Sequence, residues 1–190
     1  MHINPLLDRS KLILVLSKVL DKVVFDLSNE DYRLVGTSAA LLHGVELPVG
    51  DIDILVKERR LVDLFSKALS CFNCVIPPTI IPDMNQYYTE YSIDKVEVGI
   101  STVEIHTDKD WIETYGNGPW IHYNLLPCGS YIVPSVKLEL RLITELYRKR
   151  PERYDPILDY MRIHGYDKEL VNQGIMNLDI DEETYIRLNL

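Results

Sequence analysis

The stretch Leu34-Val35-Gly36-Thr37-Ser38-Ala39-Ala40-Leu41-Leu42-His43-Gly44, followed seven residues later by Asp51-Ile52-Asp53-Ile54, decides the fold. Its first part is a short apolar strand that enters a small-residue turn and then a helix. Its second part is another strand, with carboxylates at positions i and i+2. Alternation in a strand sends i and i+2 to one face. Asp51 and Asp53 therefore project side by side, which is unfavourable for like charges unless a cation lies between them. The turn at Gly36-Thr37-Ser38 exposes the free N–H groups of a helix start, which suit an anion. A metal site next to a phosphate site points to metal-assisted phosphoryl or nucleotidyl chemistry.

This pattern resembles the signature of the DNA polymerase β-like nucleotidyltransferase superfamily. Gly36-Thr37-Ser38, a gap of 12 residues and then Asp51-Ile52-Asp53-Ile54 match its order and approximate spacing. Thr37 stands where the family commonly has Gly or Ser, and Ser38 follows at once. The Gly50-Asp51-Ile52-Asp53 form is most similar to the antibiotic and small-substrate members.

The resemblance implies an α/β (α+β) nucleotidyltransferase fold: a mixed sheet flanked by helices, with a small helical C-terminal part. It implies Asp51 and Asp53 as ligands to two Mg²⁺ ions, with a third carboxylate on a neighbouring strand. Family position points to Glu97, where Val96 and Val98 face one side and Glu97 the other. Glu104 is the rival, as third ligand or as general base for an acceptor hydroxyl. Gly36, Thr37 and Ser38 are expected to hold the β- and γ-phosphates of ATP or another nucleoside triphosphate, although a plain helix cap would use the same residues. Arg150 and Arg153, in a run with four basic residues within six positions, are expected near the nucleotide. Cations at a helix end that complement its dipole are the simpler alternative.

Composition bounds the rest. The chain has 190 residues, 46% of them hydrophobic and 26% charged, enough for one core. A net charge of −9 disfavours nonspecific nucleic-acid binding and favours a small-molecule or protein acceptor. The start has no secretory pattern and no apolar run is long enough to cross a bilayer, so neither a signal peptide nor a membrane contact is expected and a cytoplasmic location is. Oligomeric state is left open.

Cys71, Cys74 and Cys128 form no disulfide framework. Cys71 and Cys74 have CxxC spacing without a partner pair, so they are read as buried strand residues rather than zinc ligands. His43, His106 and His122 are read as structural, and most of the 12 tyrosines as core.

In chain order, helix periodicity spans 8–27 behind an Asp8 N-cap. Tyr32–Val35 is a strand, Thr37–Leu42 a helix and Ile52–Val56 a strand. A helix opened by Lys57–Arg60 buries Leu61, Leu64, Phe65 and Leu69. Phe72–Ile76 is expected as a strand closed by Pro77-Pro78. Tyr87–Ser92 and Val96–Ile100 form a hairpin, extended by Val103–Ile105, and 111–119 is an irregular, mobile loop. Pro134 is expected to start a helix that ends before Pro151, followed by helices at 154–164, 167–176 and 181–188. The nucleotidyltransferase core is thus 1–133, and 134–190 a helical part packed on it. A catalytically weak nucleotide-binding regulatory protein on the same fold is the competing reading.

Overall fold

Residues 7–23, 26–82, 85–103 and 110–178 are described in a computed structural model of the chain. The first helix, α1 (Arg9–Val23), buries Leu12, Val15, Leu16, Val19, Leu20 and Val23. Asp8 caps it, accepting the Lys11 N–H at 2.7 Å. Strand β1 (Tyr32–Val35) runs directly into α2 (Gly36–His43), which Gly44 closes in a left-handed conformation. Then come β2 (Asp51–Val56), α3 (Arg59–Ala68), β3 (Asn73–Ile81), β4 (Gln86–Ile93) and β5 (Val96–Thr102). The second half holds α4 (Gly118–Ile121), β6 (Tyr123–Cys128), β7 (Tyr131–Val136), α5 (Leu138–Tyr147), α6 (Pro151–His164) and α7 (Lys168–Asn177).

The described strands form one mixed sheet in the order β3-β4-β5-β2-β1-β7-β6. β2 runs antiparallel to β1 and parallel to β5, and this sets the rows across the sheet. Val35, Asp53, Gly99 and Glu90 share one row, while Asp51, Glu97 and Ser92 share another. The alternate residues Ile52, Ile54, Val98 and Ile100 are buried on the opposite face. There α3 packs, and the Tyr91 hydroxyl lies 2.9 Å from the Ser66 hydroxyl. One face of the sheet therefore makes the core, and the other carries the carboxylates.

Several expectations change. β3 passes through Pro77-Pro78 rather than stopping before them. It is an edge strand with register shifts on both sides of Ile76, where missing N–H groups break little of the ladder. Residues 123–136 form a β-hairpin, turned by Gly129 at φ 61°. Pro134 is consequently inside β7, and the helix expected from it begins at Leu138. Pro151 occupies the first turn of α6, three residues ahead of the expected start.

Cys71 and Cys74 are exposed, one in the turn after α3 and the other on the edge strand; only Cys128 is buried. Tyr32, Tyr91 and Tyr154 belong to the core, as expected of most tyrosines, but Tyr88 faces the site and Tyr147 is exposed. The Val103–Ile105 extension, His106 and the 181–188 helix fall wholly or partly outside the described residues. No helix among the described residues is long and apolar enough to cross a membrane.

Candidate active site

The face carrying Asp51 and Asp53 opens into a cavity of about 440 Å³. The β1–α2 turn forms one wall, where Gly36 takes a φ of 71°. A Cβ at this glycine would run into the Asp53 carboxylate, so the turn approaches β2 as closely as it does because residue 36 is glycine. Ser38 holds the two together. Its hydroxyl donates to the Val35 carbonyl at 2.9 Å and accepts from the Asp53 N–H at 3.4 Å. Gly36 and Thr37 line the cavity, while Ser38 is fully buried behind them.

Asp51 stands at the rim and Asp53 deeper. Burial, reinforced by the charges of Asp51 and Glu113, pushes the Asp53 carboxyl up to about 7 despite Arg141 and Arg148. Burial also raises Asp51; Arg153 opposes the rise and Glu97 adds to it. Two oxygen donors that repel each other on one face are a donor set suited to a hard dication such as Mg²⁺. Glu97 lies in register with Asp51 and on the same face, outside the cavity lining. Glu104 lies outside the described residues. No group of three His, Cys, Asp or Glu side chains converges closely enough for a metal among the described residues.

The opposite wall is cationic. Arg141 from α5, Arg148 just beyond that helix and Arg153 from α6 all line the cavity. Arg150 sits outside it, 4.0 Å from the Glu145 carboxylate. Arg141 is 2% exposed and pairs with two carboxylates, Glu113 and Glu145, which are 1% and 0% exposed. Its Nη2 is 2.5 Å from Glu145 Oε1, yet neither Glu145 oxygen receives an aligned hydrogen bond. The short contact is therefore an ion pair without hydrogen-bond geometry.

Glu113 was not foreseen, and its segment is not the free loop expected at 111–119. Ile112 is buried, the Glu113 N–H donates to Thr144 Oγ1 at 2.9 Å, and Trp111 stacks on His122 with ring centroids 5.8 Å apart. Tyr88 and Glu90 were also missed. The Tyr88 hydroxyl donates to Glu90 at 2.6 Å, and burial together with that bond raises its pKa. Strand alternation could have placed this pair beside Asp53, because Gly99 leaves room between them. His43 is structural as expected: its ring nitrogen lies 2.9 Å from the Val136 carbonyl oxygen, and burial lowers its pKa.

This architecture is shared with solved structures. One is a nucleotidyltransferase candidate from Thermotoga maritima, at TM-score 0.58 and 17% identity, covering 85% of this chain and 99% of that one. Another is an antigenic nucleotidyltransferase-like protein from Paracoccidioides brasiliensis, at TM-score 0.55 and 12% identity, covering 97% of this chain and 94% of that one. The fold is nucleotidyltransferase-like. No protein-family model and no curated protein sequence matches the chain.

Proposed function

We propose that this chain is a nucleotidyltransferase that moves a nucleoside monophosphate, AMP from ATP, onto a hydroxyl of a small molecule or protein. One observation carries the reading: Asp51 and Asp53 share a cavity with the Gly36–Thr37 turn, and Arg148 and Arg153 line it too. Carboxylates for a metal, N–H donors for phosphate and guanidinium groups for the leaving charge then surround one volume. The fold shared with the two nucleotidyltransferase-like structures fits the same reading.

In the proposed step the acceptor hydroxyl gives up its proton to a carboxylate of the site or to solvent, its oxygen attacks the α-phosphorus in line, and the bond to the bridging oxygen breaks to release pyrophosphate. Asp51 and Asp53 would hold Mg²⁺, which when bound would supply neutralisation of charge on the attacking and leaving oxygens. Glu97, one strand over, is the proposed third carboxylate, with Glu104 the alternative as third ligand or as the base that takes the acceptor proton. Gly36 and Thr37 hold the β- and γ-phosphates, and Ser38 keeps their turn against Asp53. Arg153 and Arg148 take up charge on the departing pyrophosphate. Arg150, set outside the lining, acts there only at longer range.

A second reading has a specific observation behind it. Glu113 already occupies the Gly36 N–H, and no carboxylate triad converges among the described residues. Both suit a nucleotide-binding regulatory protein with weak catalysis. Incubation with ATP labelled at the α-phosphorus separates the two. Label moving onto an acceptor in an extract, and lost in Asp51→Ala with Asp53→Ala, supports transfer. Nucleotide binding without any label transfer supports the regulatory reading.

A further inference from the structure

The Gly36 N–H is an anion-seeking donor of the β1–α2 turn, and it is already engaged. Glu113 Oε2 accepts it at 3.2 Å, while Glu113 Oε1 pairs with Arg141. No side chain next to α2 caps its start; the carboxylate comes from 77 residues downstream. An acid in that place brings a negative charge into a cavity that already holds Asp51, Asp53 and Glu90.

The surrounding network is also incomplete. Arg141 lines the cavity and is 2% exposed, yet its Nε–H has no hydrogen-bond partner. Both Glu145 oxygens are buried and lack one as well, although Arg153 and Arg150 stand 3.9 and 4.0 Å away. A buried donor left without a partner is unfavourable, and an anion that accepts from the Arg141 Nε–H is favoured; the Glu145 oxygens, being acceptors, are served by the arginines and not by an anion. An anion with more oxygens than a carboxylate offers acceptors both to the Gly36 N–H and to the guanidinium groups of Arg141, Arg148 and Arg153, which line the same cavity.

We propose that Glu113 is a resident carboxylate in the phosphate seat of this cavity, exchanged for a polyphosphate when nucleotide enters, so that Glu113 sets nucleotide affinity and residues 110–117 shift on binding. The inference rests on the reading of the Gly36–Thr37 turn as a phosphate site. A tethered acid competes at a high effective concentration. A single phosphate matches it poorly, whereas a triphosphate gains contacts at several donors at once. Glu113 in this role selects for polyphosphates. If the seat is open for only a tenth of the molecules, the apparent affinity is weakened about tenfold.

The experiment is calorimetric titration of inorganic tripolyphosphate, with Mg²⁺ present, into wild type, Glu113→Gln, Glu113→Ala and Glu90→Gln. Both Glu113 variants are expected to bind about tenfold more tightly than wild type. Glu90→Gln removes the same charge from the same cavity without touching Gly36, and its gain is expected to be clearly smaller. Equal or weaker binding in both Glu113 variants, or an equal gain in Glu90→Gln, overturns the proposal and leaves the phosphate site standing. Absence of binding in every protein overturns the phosphate site and the proposal together. Hydrogen exchange on unmodified protein decides the matter should the variants fail to fold. Tripolyphosphate is expected to speed exchange across 110–117 and slow it in α2; protection of 110–117 contradicts the exchange.

Discussion

Asp53 carries the electrostatic tension of the site. Its carboxyl is raised from 3.8 to about 7, so the folded chain holds a proton that the unfolded chain releases at lower pH. Folding stability therefore falls as pH rises from about 4 to about 7 and levels off above. A shift of this size is worth on the order of 4 kcal/mol at most, and Asp51 shares it through coupled titration. Asp53→Asn removes the tension. Denaturant melts are expected to find the variant more stable relative to wild type at pH 8 than at pH 4.5; an equal difference at both pH values contradicts a buried, proton-holding Asp53.

Gly36→Ala adds the reverse strain, since a left-handed conformation disfavours a Cβ by about 1–2 kcal/mol and this Cβ also meets the Asp53 carboxylate. The variant is expected to lose that much stability and to show a smaller rise in melting temperature with MgATP than wild type; an equal rise would show that the close approach is unimportant. Gly36, Asp51 and Asp53 were legible in the sequence because one turn and one strand contain their whole geometry. Glu113 and Arg141 were not. They meet through tertiary packing between distant segments, and neither has a local pattern.

At the scale of elements, two proline sites lie inside strands and not at their ends. Pro77-Pro78 and Pro134 read as boundaries, yet β3 accommodates its pair at an edge with shifted register, and β7 has a single registered pair with β1, at Leu34 and Ser135. Helix α5 shows a different limit. Arg141, Thr144 and Glu145 are buried along with its leucines, so polarity no longer marks the side that faces water. Arg141 lines the cavity, Thr144 accepts the Glu113 N–H and Glu145 pairs with Arg141, and the sequence displays none of these partners. The segment carrying Glu113 depends on close approach at Gly118, where a Cβ would run into the Asp110 carbonyl. Gly118→Ala is expected to destabilise the fold by about 1–3 kcal/mol, as overpacking against backbone does. An unchanged melting curve would mean that the segment is not held there.

The whole molecule divides its labour between the faces of one sheet. Ile52, Ile54, Val98 and Ile100 build the core on one face, and the acids stand on the other, opposite arginines from α5, α6 and the residue after α5. A chain of net charge −9 thereby presents a locally cationic wall to an anionic ligand. The mixed sheet and its helices were legible because alternation and helical periodicity survive in most segments; the 123–136 hairpin was obscured by its prolines.

Ligand binding reports on this arrangement. At a hundredfold excess over Kd a ligand stabilises by about 2.7 kcal/mol. At ~2–4 °C per kcal/mol for a chain of this size, MgATP is expected to raise the melting temperature by roughly 5–10 °C.

The most direct measurement is calorimetric titration of ATP, with and without Mg²⁺, into wild type and into Asp51→Ala with Asp53→Ala. Binding that requires Mg²⁺ and disappears in the folded double variant is the result predicted. No binding of ATP or any other nucleoside triphosphate to well-folded wild type, or binding that the double variant retains with Mg²⁺, would contradict a nucleotide site built on Asp51 and Asp53.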